Sequence, residues 1–282
     1  HVTAKESFWP ILHAFPSHFE YDTSDWDTFV DINKRFAEAA TDRAEDDAVF
    51  WIHDYNLWLT PRFIRERKPN ARILFFLHTP FPAPDIFHVL PWRDEIVSAL
   101  LQCDLCGFHI PRYVNNFAQS AVSLFNAEEL QKEPVDPAFV RGGLALSDPT
   151  MTTRLRYDSR EIALDAFPVG SNVSHIESRV RSDETEEKAR QIRERLGHKT
   201  LIVSAGRVDY TKGTRELLQA YERMLERHPE RIGECHMVLT AVAPAPGMSA
   251  YDSIQHDIEY LAGKINGRFS RLDWAPITLF TH

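Results

Sequence analysis

Short apolar runs alternate along this chain with stretches in which apolar residues recur at helical spacing, and this is the pattern of an α/β protein. Val49 to Ile52 reads as a short strand running into His53-Asp54-Tyr55. Pro61 opens a helix to about Lys68, Pro69-Asn70 stops it, and Arg72 to Leu77 is the next strand, ending at His78-Thr79-Pro80-Phe81-Pro82. Arg93 to Leu101 is predicted as helix, Leu105 to His109 as strand and Arg112 to about Phe125 as helix. Asn126 to about Thr153 carries few periodic signals and several Pro and Gly residues, so an insertion or mobile loop is expected there. Glu161 to Phe167 gives another strand, running into Pro168-Val169-Gly170-Ser171-Asn172.

A boundary follows, which divides the chain into residues 1–172 and 173–282. Ser182 to Leu196 reads as a charged helix with acids at its start, arginines near its end and Gly197 beyond it, as the helix dipole prefers. Thr200 to Ala205 reads as a buried strand, and Leu217, Leu218, Tyr221 and Leu225 mark the helix after it. A strand from His236 to Val242, a helix through Ile254, Ile258, Leu261 and Ile265, and a strand from Ile277 to Thr281 complete the order. Two parallel α/β halves with a cleft between them fit this succession. The second half supplies about three strands, fewer than the roughly five or six of a doubly wound sheet.

Composition narrows the function. A chain of 282 residues with 43% hydrophobic residues can fill about two cores. Its net charge of −9 excludes generic binding to nucleic acid or to an anionic membrane, so any anion site should be local. No apolar run reaches the length of a membrane span and no secretory leader pattern opens the chain. Three cysteines give no disulfide framework, and a reducing cytoplasm is expected. Cys103 and Cys106 form a Cys-x-x-Cys with His109 at metal-ligand spacing, but structural zinc needs four ligands and Cys235 is remote. Buried, inert thiols are expected, and no metal.

Candidate chemistry lies at the strand ends. In open α/β sheets, ligands bind beyond the carboxyl ends of the strands, which is where His53, Asp54, Tyr55 and His78 fall. Arg207 and Lys212 are expected in the turn between a strand and a helix, where unpaired N–H groups and the helix dipole add to a guanidinium and an ammonium. That combination suits a pyrophosphate-like anion. The plainer alternatives are two surface cations, histidines that cap strands and an Asp54 that only shapes a turn.

Five ordered segments carry a resemblance: Trp51-Ile-His-Asp-Tyr-Asn-Leu, Phe75-Phe-Leu-His-Thr-Pro-Phe-Pro82, Leu90-Pro-Trp-Arg93, Gly206-Arg-Val-Asp-Tyr-Thr-Lys-Gly213 and Gly263-Lys-Ile-Asn-Gly-Arg-Phe269. Together they resemble the trehalose-6-phosphate synthase glycosyltransferases over nearly the whole chain. Leu100 to Arg112 and Pro244 to Asp252 are more similar to the branch of that family that makes glucosylglycerol phosphate. The resemblance implies a GT-B architecture, two Rossmann-like domains facing a cleft, with the acceptor on the first and the nucleotide sugar on the second. It implies glucose transfer with retention, in which a donor phosphate oxygen takes the acceptor proton, so that two catalytic carboxylates are not expected. Arg207 and Lys212 match the residues that grip the donor diphosphate, and His78 matches a histidine beside the transferring glucose. Asp54, Tyr55 and Trp9 match the acceptor side, although Trp9 also reads as an ordinary core tryptophan.

One departure bears on the acceptor. The family usually carries an arginine for the sugar phosphate just after an Ala-Pro near residue 244, where Gly247 stands here. Loss of a bidentate clamp points away from glucose 6-phosphate and suits a smaller phosphorylated acceptor, which the branch resemblance implies is glycerol 3-phosphate, with ADP-glucose as the matching donor. The expected partners are these small molecules alone. No cofactor is implied, since the nucleotide sugar is a substrate, and a homo-oligomer is compatible with the resemblance. Family members also begin with a glycine-containing closing segment and end with an acidic one, and neither occurs here, so an internal fragment is expected. The alternatives are a trehalose-6-phosphate synthase and a non-catalytic sugar-phosphate binding module.

Overall fold

The computed structural model describes residues 3–136, 148–197, 199–242 and 249–281. Its contacts divide the chain into two units, His1–Gly170 and Ser171–His282, against an expected break after residue 172.

In the first unit a π-helical stretch, Thr3–Phe8, leads into the short helix α1 (Trp9–Leu12). Helix α2 (Thr23–Thr41), which the sequence reading did not single out, starts at Asp22, whose carboxylate accepts the Ser24 N–H at 2.8 Å. It buries Trp26, Phe29, Asn33, Ala37 and Thr41, a stripe at helical spacing. There follow β1 (Val49–His53), α3 (Thr60–Arg67), β2 (Arg72–Phe76), the short α4 (Pro84–Phe87), α5 (Arg93–Leu100), β3 (Leu105–Phe108) and α6 (Pro111–Phe125). Strands β1, β2 and β3 pair in that order and in parallel. Parallel neighbours joined in sequence by right-handed crossovers put their helices on one face, where α3 packs on α5 and α5 on α6. Along β1 the side chains alternate, with Phe50 and Ile52 buried and Val49, Trp51 and His53 exposed.

The segment expected to be an insertion or mobile loop is in part sheet. Strands β4 (Glu128–Pro134) and β5 (Thr150–Tyr157) pair antiparallel, and β5 pairs antiparallel with β6 (Arg160–Ala166). Because β6 lies parallel to β3, the sheet runs β1-β2-β3-β6-β5-β4. The physical reason for the difference is that β4 is almost wholly exposed and charged, so no apolar alternation marks it. Cross-strand polar pairs hold it instead, Arg156 to Glu128 at 3.0 Å and the Thr152 hydroxyl to Glu129 at 2.6 Å. Residues 137–147 lie outside the described residues.

An aromatic hub ties the start of the chain to this core. Phe8 is fully buried and meets Trp26, Phe29, Tyr55, Trp58 and Trp92 edge-on, while Trp26 and Trp92 stack at 4.6 Å.

The second unit contains α7 (Val173–Val180), α8 (Asp183–Leu196), β7 (Thr200–Arg207), α9 (Thr214–Arg227), β8 (Cys235–Val242), α10 (Ser249–Phe269) and β9 (Ile277–Phe280). Ser182 caps α8 by accepting the Thr185 N–H, and Gly197 ends it with φ 68°, where a side chain would be strained. Among the described residues the sheet has three parallel strands, ordered β7-β8-β9. Leu218, Leu225, Met237, Leu239, Ile258 and Ile265 build its core. Strand β7 differs from the expected buried strand: it lies at the edge of this sheet, and Leu201 and Val203 on one of its faces are exposed.

Candidate active site

The register of the first sheet places four strand ends side by side. His53 pairs with Phe76, Phe76 with Gly107, and Gly107 with Asp165, all between parallel strands. The residues that leave the carboxyl ends of β1, β2, β3 and β6 are therefore neighbours: His53-Asp54, Leu77-His78, His109 and Phe167-Pro168-Val169.

His78 is gripped at three points there. Its backbone N–H donates to Asp54 Oδ1 at 3.3 Å, its carbonyl accepts from His109 Nε2 at 3.1 Å, and its ring Nε2 lies 3.0 Å from Nδ1 of His53. A carbonyl can only accept and an amide N–H can only donate, so the second contact of His109, Nδ1 with the Val169 N–H at 3.4 Å, makes it the neutral Nε2–H tautomer. His109 thus spans the ends of β2 and β6. Sequence reasoning considered this residue only as a zinc ligand beside the cysteines.

The backbone of Asp54 has φ 68° and ψ 167°, a region that glycine alone occupies readily. Its N–H donates to the Phe76 carbonyl at 2.8 Å, which holds it against the end of β2. Strain of this kind costs roughly 1–3 kcal/mol and persists where surrounding contacts over-determine it. Asn33, on α2, anchors the segment that follows Asp54. Fully buried, it donates to the carbonyls of Phe29 and Asn56 and accepts from the N–H groups of Leu59 and Thr60 and from the Thr60 hydroxyl. Sequence reasoning missed Asn33; the available signal was a lone amide on the apolar stripe of a helix.

Tyr55, expected on the acceptor side, is 4% exposed and packs against Phe8 and Trp58. Trp9 is half-buried, 6.3 Å from Tyr55 between ring centroids and 3.9 Å from His13, with Lys5 Nζ 4.2 Å over its ring. Trp9 thus meets Tyr55, while Asp54 and His53 meet His78. Of these five residues His53 and His78 line a cavity of about 460 Å³, together with Trp51, Phe76, Phe167 and Val169 among others, and Trp9, Asp54 and Tyr55 do not. Burial lowers the pKa of His53, the nearby charge of His78 lowers it further, and Asp54 opposes both.

Arg207 and Lys212 lie in the second unit. Arg207 is the last residue of β7, paired with Val242, rather than a turn residue as expected. The strand runs on because its backbone pairing with β8 continues through Gly206. Asp209 follows, buried, and accepts both the N–H and the hydroxyl of Thr211. Lys212 then precedes Gly213, whose φ of 66° turns the chain into the first residues of α9. Both cations are exposed, and among the described residues neither is ion-paired. Both residues fall between the last residues of β7 and the start of α9, a helix whose first N–H groups lack intrahelical partners. Gly247, which carried the acceptor argument, lies outside the described residues.

Cys103 and Cys106 are fully buried and unpaired, and the Cys106 thiol faces the Leu100 carbonyl at 3.6 Å. Burial pushes the Cys103 thiol well up, against any thiolate chemistry. Among the described residues no helix is long and apolar enough to cross a membrane.

The family model for glycosyltransferase family 20 matches residues 1–282. Among curated proteins, the chain is 57% identical to a glucosylglycerol-phosphate synthase from Synechocystis sp., covering 100% of this chain and 56% of that protein. It is 34% identical to an α,α-trehalose-phosphate synthase (UDP-forming) from Pichia angusta, covering 95% of this chain and 54% of that protein. Among solved structures, the α,α-trehalose-phosphate synthase of Burkholderia xenovorans in complex with glucose-6-phosphate superposes with a TM-score of 0.83 at 28% identity, over 99% of this chain and 58% of that one. The chain thus spans a little over half the length of these two curated relatives.

Proposed function

This chain belongs to glycosyltransferase family 20, and we propose that the protein transfers glucose from a nucleotide sugar, ADP-glucose, to glycerol 3-phosphate with retention of configuration. The observation that carries the choice of acceptor is the 57% identity over the full chain to a glucosylglycerol-phosphate synthase, against 34% to a trehalose-phosphate synthase. The sequence departure at Gly247 supports the same acceptor.

Arg207 and Lys212 take the donor diphosphate. As the bond between the glucose anomeric carbon and the phosphate oxygen breaks, negative charge grows on the leaving group, and preorganised cations stabilise it more in the transition state than in the ground state. His78, gripped by His53, Asp54 and His109, holds a hydroxyl of the transferring glucose. Asp54 and Trp9 receive the acceptor, while buried Tyr55 supports Trp9. The acceptor hydroxyl forms the new bond to the anomeric carbon on the face the phosphate leaves, and its proton passes to a phosphate oxygen. No metal and no separate cofactor enter this scheme.

Initial rates test it, with the protein at the full length of its relatives, ADP-glucose or UDP-glucose as donor, and glycerol 3-phosphate or glucose 6-phosphate as acceptor. Turnover with ADP-glucose and glycerol 3-phosphate well above the other combinations is expected. Preference for glucose 6-phosphate assigns a trehalose-phosphate synthase instead, and tight nucleotide-sugar binding without turnover assigns a binding module.

A further inference from the structure

A hydrogen bond between two neutral imidazoles requires one nitrogen to carry the proton and the other to be bare. His53 Nδ1 and His78 Nε2, 3.0 Å apart, can meet this in two ways. If His53 donates, both rings carry their proton on Nδ1. If His78 donates, both carry it on Nε2, the tautomer that neutral imidazole prefers in water.

The other titratable neighbours leave this choice to His53. Asp54 bonds the backbone N–H of His78 and His109 bonds its carbonyl, so neither touches the ring nitrogens. The planes of both rings are held as well. Trp51 lies 4.5 Å from His53 and Phe76 lies edge-on at 4.7 Å to His78. We infer that His53 is a positioning residue: it accepts the Nε2 proton of His78, fixes that tautomer, and so presents Nδ1 of His78 as a bare acceptor for a ligand hydroxyl. A neutral acceptor holds a sugar O–H without setting a cation beside a carbon that becomes positive as its leaving group departs. The assignment of the hydroxyl to a sugar rests on the glucosyl-transfer reading; the tautomer does not.

The experiment is long-range proton–nitrogen correlation NMR of the imidazoles in this chain, labelled with ¹⁵N-histidine, at mildly alkaline pH. His78 is expected to show a protonated, pyrrole-type Nε2 and a bare, pyridine-type Nδ1, and His53 a bare Nδ1. His53→Phe should move both His78 nitrogens toward averaged shifts. His53→Asn, whose amide oxygen can take the place of the bare nitrogen, should restore the separated pair. A protonated Nδ1 or already averaged shifts on His78 in the unmodified chain would overturn the inference, as would unchanged His78 shifts in His53→Phe. Because the readout needs no turnover, failure of the acceptor assignment leaves it standing, and its own failure leaves that assignment untouched.

Discussion

Asp54 shows how one side chain can be both misfit and necessary. Its positive φ would suit glycine, yet its carboxylate holds the His78 N–H. Replacing it separates the two effects. Asp54→Gly and Asp54→Ala both lose the carboxylate, but only the alanine keeps the strain, so the glycine variant should unfold at higher denaturant, by about 1–2 kcal/mol. Ordinary positions show the reverse order, and finding it here would mean that Asp54 is not strained. Arg207→Ala should lower turnover by roughly 10²-fold or more if the guanidinium stabilises leaving-group charge; near-normal turnover would remove Arg207 from the reaction. The strand-end rule and the family motifs made His53, Asp54, His78, Arg207 and Lys212 legible as residues. Their partners were not. His109 was read by its spacing from Cys103 and Cys106, whereas what positions it is the register of β3 between β2 and β6, a relation between segments far apart in the chain.

Elements were legible where apolar rhythm was strong. The strands β1, β2, β3 and β6 and the helices α3, α5, α6 and α9 fall close to their expected places, and α8, which buries no residue, was legible from its end charges and Gly197 instead. Strand β4 was not legible, because charged pairs rather than buried apolar residues hold it. Helix α2 could have been found from its capping Asp22 and its stripe, and it matters to the site through Asn33. Asn33→Leu would leave the N–H groups of Leu59 and Thr60 without their acceptor, and each buried unsatisfied group costs about 1–3 kcal/mol. The first unit should therefore lose roughly 2–4 kcal/mol in denaturant unfolding. A loss in Asn33→Leu no larger than that of a surface substitution, about 0.5 kcal/mol, would show that the amide does not organise the Asn56 to Thr60 segment.

At the scale of the whole chain, each unit has its own core, and titration should act on the first through its histidines. Burial lowers the pKa of both His53 and His88 from the ordinary value of 6.5. The unfolded chain therefore binds more protons than the folded one just below that pH, and stability is lost as pH falls through it. The unfolding midpoint of the first unit should drop between pH values above and below 6.5, and the drop should shrink in His53→Phe; a midpoint that rises on acidification contradicts this sign. The three buried cysteines should likewise resist thiol reagents until the units unfold, as measured by labelling before and after denaturant. The family and its α/β class were legible from five ordered motifs, and the acceptor is proposed from the 57% identity to a glucosylglycerol-phosphate synthase together with the departure at Gly247. The product itself settles that point. Mass and anomeric configuration should be determined for the product formed by the protein at the full length of its relatives from ADP-glucose offered glycerol 3-phosphate and glucose 6-phosphate together. An α-linked hexosyl glycerol phosphate is the expected product; trehalose phosphate, or a β-linked product, would contradict the account.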